Sequence, residues 1–203
     1  MPEFGEVAAT RVALLELRDE RRVVQEGYDL LDQKRVLLAS ETLRQLRAHA
    51  AAQRELDVGW AGARKALAQA VEVHGLDDLT VEPPCPLREA LLRVEPRSFL
   101  GIPLAAAHFE DVACRPVERP VRDTPELRRC AAAFRAVVAG LIGQAARAAN
   151  LRRLMDEYRR TERRARALEN VLLPEIDRSL HAIEEQLDAV DQEEGVRVRN
   201  ARK

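Results

Sequence analysis

Apolar residues in the first third of the chain repeat at the spacing of a coiled coil. Leu17, Val24, Leu31 and Leu38 follow one another at intervals of seven, with Leu14 and Tyr28 on the alternate three-and-four spacing. A heptad repeat places apolar side chains along one side of an α-helix, where a second helix covers them. The pattern predicts a long helix with an apolar seam, meaning the line of a and d positions that faces another helix.

A second repeat lies near the carboxyl end. Its members step alternately by three and four residues: Leu173, Ile176, Leu180, Ile183, Leu187 and Val190. Upstream, Leu151, Met155, Tyr158, Ala165 and Leu172 show the same alternation in a different phase. We expect a stutter near Pro174, where the two phases meet. Because Pro174 frees the carbonyl near Asn170, the helix is also expected to kink there, or to be two helices.

The prolines divide the chain into three parts. Eight of the ten lie between Pro83 and Pro125, and Pro174 alone interrupts the stretch after Glu126. Since proline disrupts helix interiors, we predict an amino-terminal arm (1–75), an irregular Pro-rich head (76–125) and a carboxyl-terminal arm (126–203). Thr124 and Pro125 fit the N-cap and first position of the second arm.

Two seams of similar length in one chain pair most simply with each other. The predicted fold is therefore mostly α: a long antiparallel two-helix coiled coil with a small central head. Gly140 and Gly143 of the second arm offer room for close approach of a neighbouring backbone. In the head, residues 91–95 and 102–104 favour a short β-hairpin, with turns as the alternative. A parallel homodimer in which each arm pairs with its copy stays open, because periodicity alone does not distinguish the two arrangements.

Composition supports a narrow helical seam and excludes several classes of protein. The seven aromatic residues cannot fill a broad core, and the 33 basic and 34 acidic residues nearly cancel. A chain of this balance is not expected to have nucleic acid or anionic lipid as its main partner. No apolar run approaches the roughly 20 residues of a membrane span, and the first residues do not resemble a signal peptide, so we expect a cytoplasmic protein without direct membrane insertion.

The sequence contains no motif that predicts a catalytic, cofactor-binding or metal site. It lacks a Gly-rich phosphate loop, an H-E-x-x-H pair and a G-x-S-x-G turn. His181 with Glu184 and Glu185 stands at helical spacing, but such carboxylates are ordinary in a charged helix. Three cysteines without CxxC spacing favour ordinary thiols. We therefore expect a protein with no enzyme activity and no cofactor.

A basic stretch in the second arm is the candidate surface for partner contacts. It comprises Arg152, Arg153, Arg159, Arg160, Arg163, Arg164 and Arg166. These side chains either form a solvated helix face with ion pairs to neighbouring acids, or face the acidic surface of a surrounding partner. Nucleic-acid binding is less favoured than both, since no aromatic residues interleave with the arginines.

Several motifs resemble one known family. Residues 163–176, which read RRARALENVLLPEI, resemble the block of the D subunit of rotary V/A-type ATPases in which R-R-V-N-A-L-E precedes V-V-I-P-x-I. Thr10-Arg11 and the LLDQKR run at 30–35 are similar to the family's P-T-R opening and G-x-x-L-L-K-x-K-R-D segment, and FLGIP at 99–103 to its G-V-x-V-P element. The departures include Ala9 in place of proline and Val36 in place of aspartate.

This resemblance implies a central-stalk rotor. The helical hairpin would insert into the hexamer of A and B subunits, and its lower part and head would dock the small F subunit and the membrane-side adaptor of the proteolipid ring. The rotor would couple ATP hydrolysis or synthesis in the hexamer to rotation of the ring and to proton or sodium transport, as a cytoplasmic, peripheral part of a membrane-bound complex. The alternatives are a free-standing coiled-coil adaptor or holdase, and a coiled-coil nucleic-acid-binding protein.

Overall fold

A computed structural model of the chain describes residues 10–80, 92–109 and 124–201. Within these residues α1 spans Arg11–Thr80, β1 Leu92–Phe99, β2 Ile102–Phe109, α2 Pro125–Ala167 and α3 Leu173–Ala201, with a π-helical turn at Leu168–Leu172 between the last two. The prediction of a mostly helical fold with two long antiparallel helical stretches and a small β-hairpin is confirmed. The chain forms two compact units, each with residues from both predicted arms. We call residues 10–37 with 158–201 the terminal unit, and the described residues within 38–157 the central unit.

Both long helices begin at a threonine cap. The hydroxyl of Thr10 accepts a hydrogen bond from the Ala13 amide at 3.1 Å, and its carbonyl accepts the Leu14 amide at 3.0 Å. Thr124 caps α2 in the same way, with Pro125 as the first helical residue, as the sequence predicted. Each cap satisfies amides that otherwise lack an intrahelical partner.

A glycine interrupts α1 near its end. Gly75 has φ 76° and ψ 162°, a conformation open essentially to glycine alone. The preceding residue, His74, contacts the α2 cap, with 2.8 Å between His74 Nε2 and Thr124 Oγ1. The break at Gly75 and the start of α2 at Pro125 lie at the predicted ends of the head, although the division into arms and head stays a prediction.

In the terminal unit, ion pairs join α1 to α3 in antiparallel order. Arg11 pairs with Asp191 at 3.2 Å, Arg18 with Glu184 at 2.6 Å, and Arg21 with Asp177 at 2.6 Å. As the residue number rises along α1, the partner's number falls along α3. All three arginines lie on α1 and all three acids on α3, so the pairs fix both the orientation and the register of the two helices.

Contacts in the central unit follow the same antiparallel order. Gln53 accepts a hydrogen bond from Gln144 at 3.0 Å, and the rings of Trp60 and Phe134 meet edge to face with centroids 6.0 Å apart. A Cβ atom at Gly140 would lie 3.1 Å from Leu56 Cδ1. This short distance is to a leucine side chain of α1, and close approach of a neighbouring backbone at Gly140 and Gly143 stays a prediction.

The β-hairpin is longer than the sequence predicted. Antiparallel pairing runs from Leu92 opposite Phe109 to Phe99 opposite Ile102. The two-residue turn between the strands has positive φ at both positions, 49° at Leu100 and 81° at Gly101. This is the arrangement of a type I′ turn, whose twist matches that of the flanking strands.

Candidate functional site

The predicted seam residues differ in their burial. In the terminal unit, Ile176, Leu180 and Ile183 are buried, whereas Leu17, Val24, Leu31, Leu173 and Leu187 are half-buried. Leu38, in the central unit, is fully buried. Val190 is 52% exposed, so the packed stripe of α3 stops before it.

One neighbouring expectation is wrong. The sequence pattern assigned Met155 to the upstream seam, but Met155 is 38% exposed and Leu154 is fully buried. Leu154, Thr161 and Leu168 follow at intervals of seven, and Thr161 is also buried. A buried threonine carries no apolar signal in a sequence, which is why Met155 was assigned in place of Leu154, whereas Ala165 is buried as the pattern predicted.

The seven arginines of the basic stretch are exposed, and they fall into both units. Arg152 and Arg153 belong to the central unit, and the other five to the terminal unit. Arg159, Arg163 and Arg166 follow the spacing of one helix face, away from the seam positions. Arg166 pairs with Glu162 at 2.6 Å, one turn earlier, which is the local ion pairing expected of a solvated face.

Arg153 takes part in holding the β-hairpin against α2. Its guanidinium donates to the carbonyl of Pro103 at 3.0 Å. The neighbouring Asn150 is nearly buried, and its side-chain amide accepts from the Ala105 N–H at 2.9 Å and donates to the Ala105 C=O at 2.7 Å. Asn150 therefore satisfies both backbone groups that the edge strand β2 presents at this residue. Sequence reasoning missed Asn150, since an asparagine in an Ala-rich helix carries no local signal of a strand nearby.

A polar layer interrupts the seam of the central unit. Gln144 is 6% exposed, and its amide nitrogen donates to the His49 carbonyl at 3.1 Å and to Gln53 Oε1. Gln144 Oε1 and His49 Nδ1 are buried without a hydrogen-bond partner. Polar groups inside a coiled coil favour one register over its alternatives, because misaligned pairing would leave more of them unsatisfied.

The candidate metal and thiol residues are dispersed. Among the described residues, no three or more His, Cys, Asp or Glu side chains form a group that could hold a metal ion. His181 lies 3.6 Å from Glu185, while Glu184 pairs with Arg18 across the unit. Burial raises the pKa of the half-buried Cys130 thiol. Cys85 and Cys114 lie outside the described residues.

No helix in the described parts of the chain is both long enough and apolar enough to cross a membrane.

Pro174 is the second residue of α3, the helix that begins directly after the π-helical turn. Its carbonyl accepts a hydrogen bond from Arg178 Nε at 3.1 Å. A bend of the helix at Pro174 stays a prediction.

Comparison with known proteins adds a family to this geometry. A family model for the ATP synthase D subunit matches residues 13–203. The D subunit of the V-type ATP synthase of Anaeromyxobacter dehalogenans (strain 2CP-C) is 32% identical over 202 residues, which cover 98% of this chain and 97% of that protein. The protein of the same name from Thermus thermophilus is 30% identical, with 97% and 87% covered. The D subunit of the A-type ATP synthase of Pyrococcus furiosus is 27% identical over 212 residues, with 98% and 94% covered.

Proposed function

The chain belongs to the family of ATP synthase D subunits, and from this premise we propose that it is the central-stalk rotor of a V/A-type rotary ATPase. It is a subunit of such a complex, as the names of its relatives indicate. In the proposed role it has no catalytic site of its own. It couples ATP hydrolysis or synthesis in the hexamer of A and B subunits to rotation of the membrane ring, and thereby to proton or sodium transport.

The observation that carries this proposal is the helix pair of the terminal unit, which is joined by three ion pairs. A rotor must transmit torque without its helices sliding past each other. The pairs Arg11–Asp191, Arg18–Glu184 and Arg21–Asp177 oppose sliding, since a displaced register separates every arginine from its acid. The buried residues Ile176, Leu180 and Ile183 supply the apolar contact between these ion pairs.

Differences between the sides of the helix pair supply the means of coupling. Helix α1 is continuous through the terminal unit, whereas the helical stretch that faces it contains a π-helical turn followed by a proline. A rod with unlike sides makes different contacts with each of the catalytic interfaces that surround it. Each interface is biased by its differential contact energy with the rod, which is the condition for coupling between sites.

The exposed arginines are the proposed contacts with the hexamer. Arg159, Arg163 and Arg166 form a basic stripe on α2, away from the seam. Exposed charges of this kind contribute to selective contact with acidic surfaces of a partner. The remaining proposed partners are the F subunit and the membrane-side adaptor of the proteolipid ring, and the complex would hold this chain at the cytoplasmic side of the membrane without direct insertion.

Copurification tests the assignment directly. The tagged full chain, expressed in its native cells, is expected to recover the nucleotide-binding A and B subunits at one rod per hexamer. Recovery of the chain as a free monomer or dimer, without the hexamer, would favour a free-standing coiled-coil adaptor and contradict the proposal.

Charge reversal of Arg163, in the basic stripe, and of its exposed neighbour Arg164 tests these contacts within the assembled complex. Arg163→Glu with Arg164→Glu is expected to lower ATP-driven rotation or ion transport several-fold, because two cations facing an acidic sleeve become anions. Arg64→Glu with Lys65→Glu, on exposed positions of α1 in the central unit, is the matched control. Unchanged coupling in the first variant, with normal assembly, would count against arginine contacts while leaving the rotor assignment standing.

A further inference from the structure

The seam of α1 keeps one heptad phase through the terminal unit. Leu17, Val24 and Leu31 recur at intervals of seven, and each is half-buried. Leu14 and Tyr28 occupy the second seam position, fourteen residues apart, and are likewise half-buried. The helix that faces α1 therefore has to present its own apolar residues in a fixed phase along the whole unit.

The facing helix changes phase by one residue. Before the π-helical turn, one set of seam positions contains Tyr158 and Ala165, seven residues apart, and its next position, Leu172, is the last residue of the turn itself. After the turn, the corresponding set is Leu173, Leu180 and Leu187. The second set moves in the same direction and by the same amount, from Thr161 and Leu168 to Ile176 and Ile183. A continuous α-helix would instead place Glu175 and Ser179 in the seam.

The π-helical turn accounts for this one-residue difference. The Leu173 amide donates to the Leu168 carbonyl, five residues earlier, where an α-helix would use the fourth. A π turn thereby accommodates one extra residue without breaking the helix. The α1 side of the seam is close at this point, since a Cβ at Gly27 would lie 3.9 Å from Leu168 Cδ1.

The π-helical turn is only weakly supported by packing. None of its residues is buried, and Val171 is 60% exposed. Pro174, two residues after the turn, has no amide hydrogen, so the next hydrogen bond of the helix is missing. Segments with few buried contacts and exposed backbone hydrogen bonds open locally before the rest of a structure.

We infer that the π-helical turn Leu168–Leu172 contains one inserted residue and acts as a locally opening joint in the helix. It keeps the residues on both sides in phase with α1, and its hydrogen bonds open before those of the adjoining turns. Pro174 weakens the joint without causing it, because the phase of the apolar residues already requires an extra residue. This inference concerns the chain alone and does not depend on the proposed function.

Amide hydrogen exchange on the isolated full chain tests both parts of the inference. In the unaltered protein, the amides of Val171 to Leu173 are expected to exchange about tenfold faster than those of Thr161 and Ile183, as for a hydrogen bond of reduced strength. Equal exchange rates at these positions would overturn the opening joint.

Two variants separate the phase of the seam from the effect of proline. In Pro174→Ala the fast exchange at Val171 to Leu173 is expected to persist; its loss would show that proline causes the turn and would overturn the insertion. In Pro174→Ala with Asn170 deleted, the two seam blocks join in one continuous heptad, so exchange there should slow to the rate of the flanking turns.

A deletion on the other side of the turn is the matched control. Removing Arg178 instead of Asn170, in the same Pro174→Ala background, shifts Leu180 and Ile183 out of phase and is expected to speed exchange throughout α3. If both deletions speed exchange at Ile183 equally, the extra residue does not reside in the π-helical turn and the inference fails.

Discussion

Glu41 shows how a single carboxylate is tied to its helix. It is 9% exposed, and both its oxygens are engaged by Arg44, at 2.6 and 2.7 Å, with Gln45 at 2.8 Å. The hydrogen bonds from Arg44 lower the pKa of Glu41, against the opposing effect of its burial. A carboxyl group whose pKa is lowered on folding stabilises the folded state above its unfolded pKa, and this stabilisation is lost as the pH falls.

Arg44→Ala is therefore expected to lower the free energy of unfolding by about 1 kcal/mol at pH 7, since a nearly buried carboxylate loses its charged partner. The difference in the free energy of unfolding between the variant and the unaltered protein should shrink as the pH falls below about 4.3, the ordinary pKa of glutamate. Urea unfolding at a series of pH values measures this difference. Arg47→Ala, at an exposed position one turn away, is the control, and a pH-independent difference for Arg44→Ala would contradict the argument.

Leu100 carries backbone strain at the hairpin turn. Its φ of 49° lies in the left-handed region, which costs a residue other than glycine or asparagine about 1–2 kcal/mol. Leu100→Asn is expected to raise the free energy of unfolding of the central unit by about 0.5–1 kcal/mol, because asparagine tolerates this conformation. Leu92→Asn, at a strand position of the same 45% exposure, should not stabilise, and equal effects would refute the role of φ.

At the scale of the elements, the side-chain amide of Asn150 helps to hold the β-hairpin against α2. Asn150→Leu removes both hydrogen bonds to Ala105 and leaves its N–H and C=O unsatisfied in a half-buried place. The expected loss is about 2 kcal/mol, with faster hydrogen exchange at the Ala105 amide. Asn200→Leu, on an exposed turn of α3, is the control for the substitution itself. Unaltered exchange at Ala105 would mean that Ile102 and Leu104 hold β2 without the amide.

Elements in which apolar residues recur at a regular spacing were predictable from the sequence. The heptads at Leu17–Leu38 and Leu173–Leu187 specify helices because a seam of fixed spacing has one helical solution. The hairpin was predicted too short, since Pro96 and the charged residues of β1 blur the alternation that marks a strand. They are tolerated because β1 lies at an edge and is exposed over nearly its whole length.

Contacts that depend on the tertiary fold were not predictable. Asn150 and Gln144 have no local pattern that reveals what faces them, and Thr161 occupies a buried seam position without being apolar. The change of phase near Pro174 was visible in the sequence, but its cause was not. A stutter and a π-helical turn both move the seam, and the backbone hydrogen bond from Leu173 to Leu168 identifies the π-helical turn.

At the scale of the whole molecule, charge decides how the two ends of the chain pair. A parallel homodimer would bring α1 against its own copy, with Arg21, which lies midway between Leu14 and Tyr28 at a seam position, facing an identical arginine. The antiparallel arrangement within one chain instead gives Arg11, Arg18 and Arg21 each an acid on α3. Because these pairs are exposed and screened by solvent, each contributes little to stability, so their effect is to select the partner and register more than to stabilise.

Reversing these charges on one helix tests that selection. With all three arginines changed to glutamate, acids face acids, and the free energy of unfolding is expected to fall at low salt, and to fall less in about 1 M salt, where the charges are screened. Changing Asp177, Glu184 and Asp191 to arginine in the same chain should restore most of the loss. Sedimentation should give a monomer of 22.8 kDa for the unaltered and doubly reversed chains. A dimer, or a doubly reversed chain no more stable than the singly reversed one, would contradict pairing by charge within the chain.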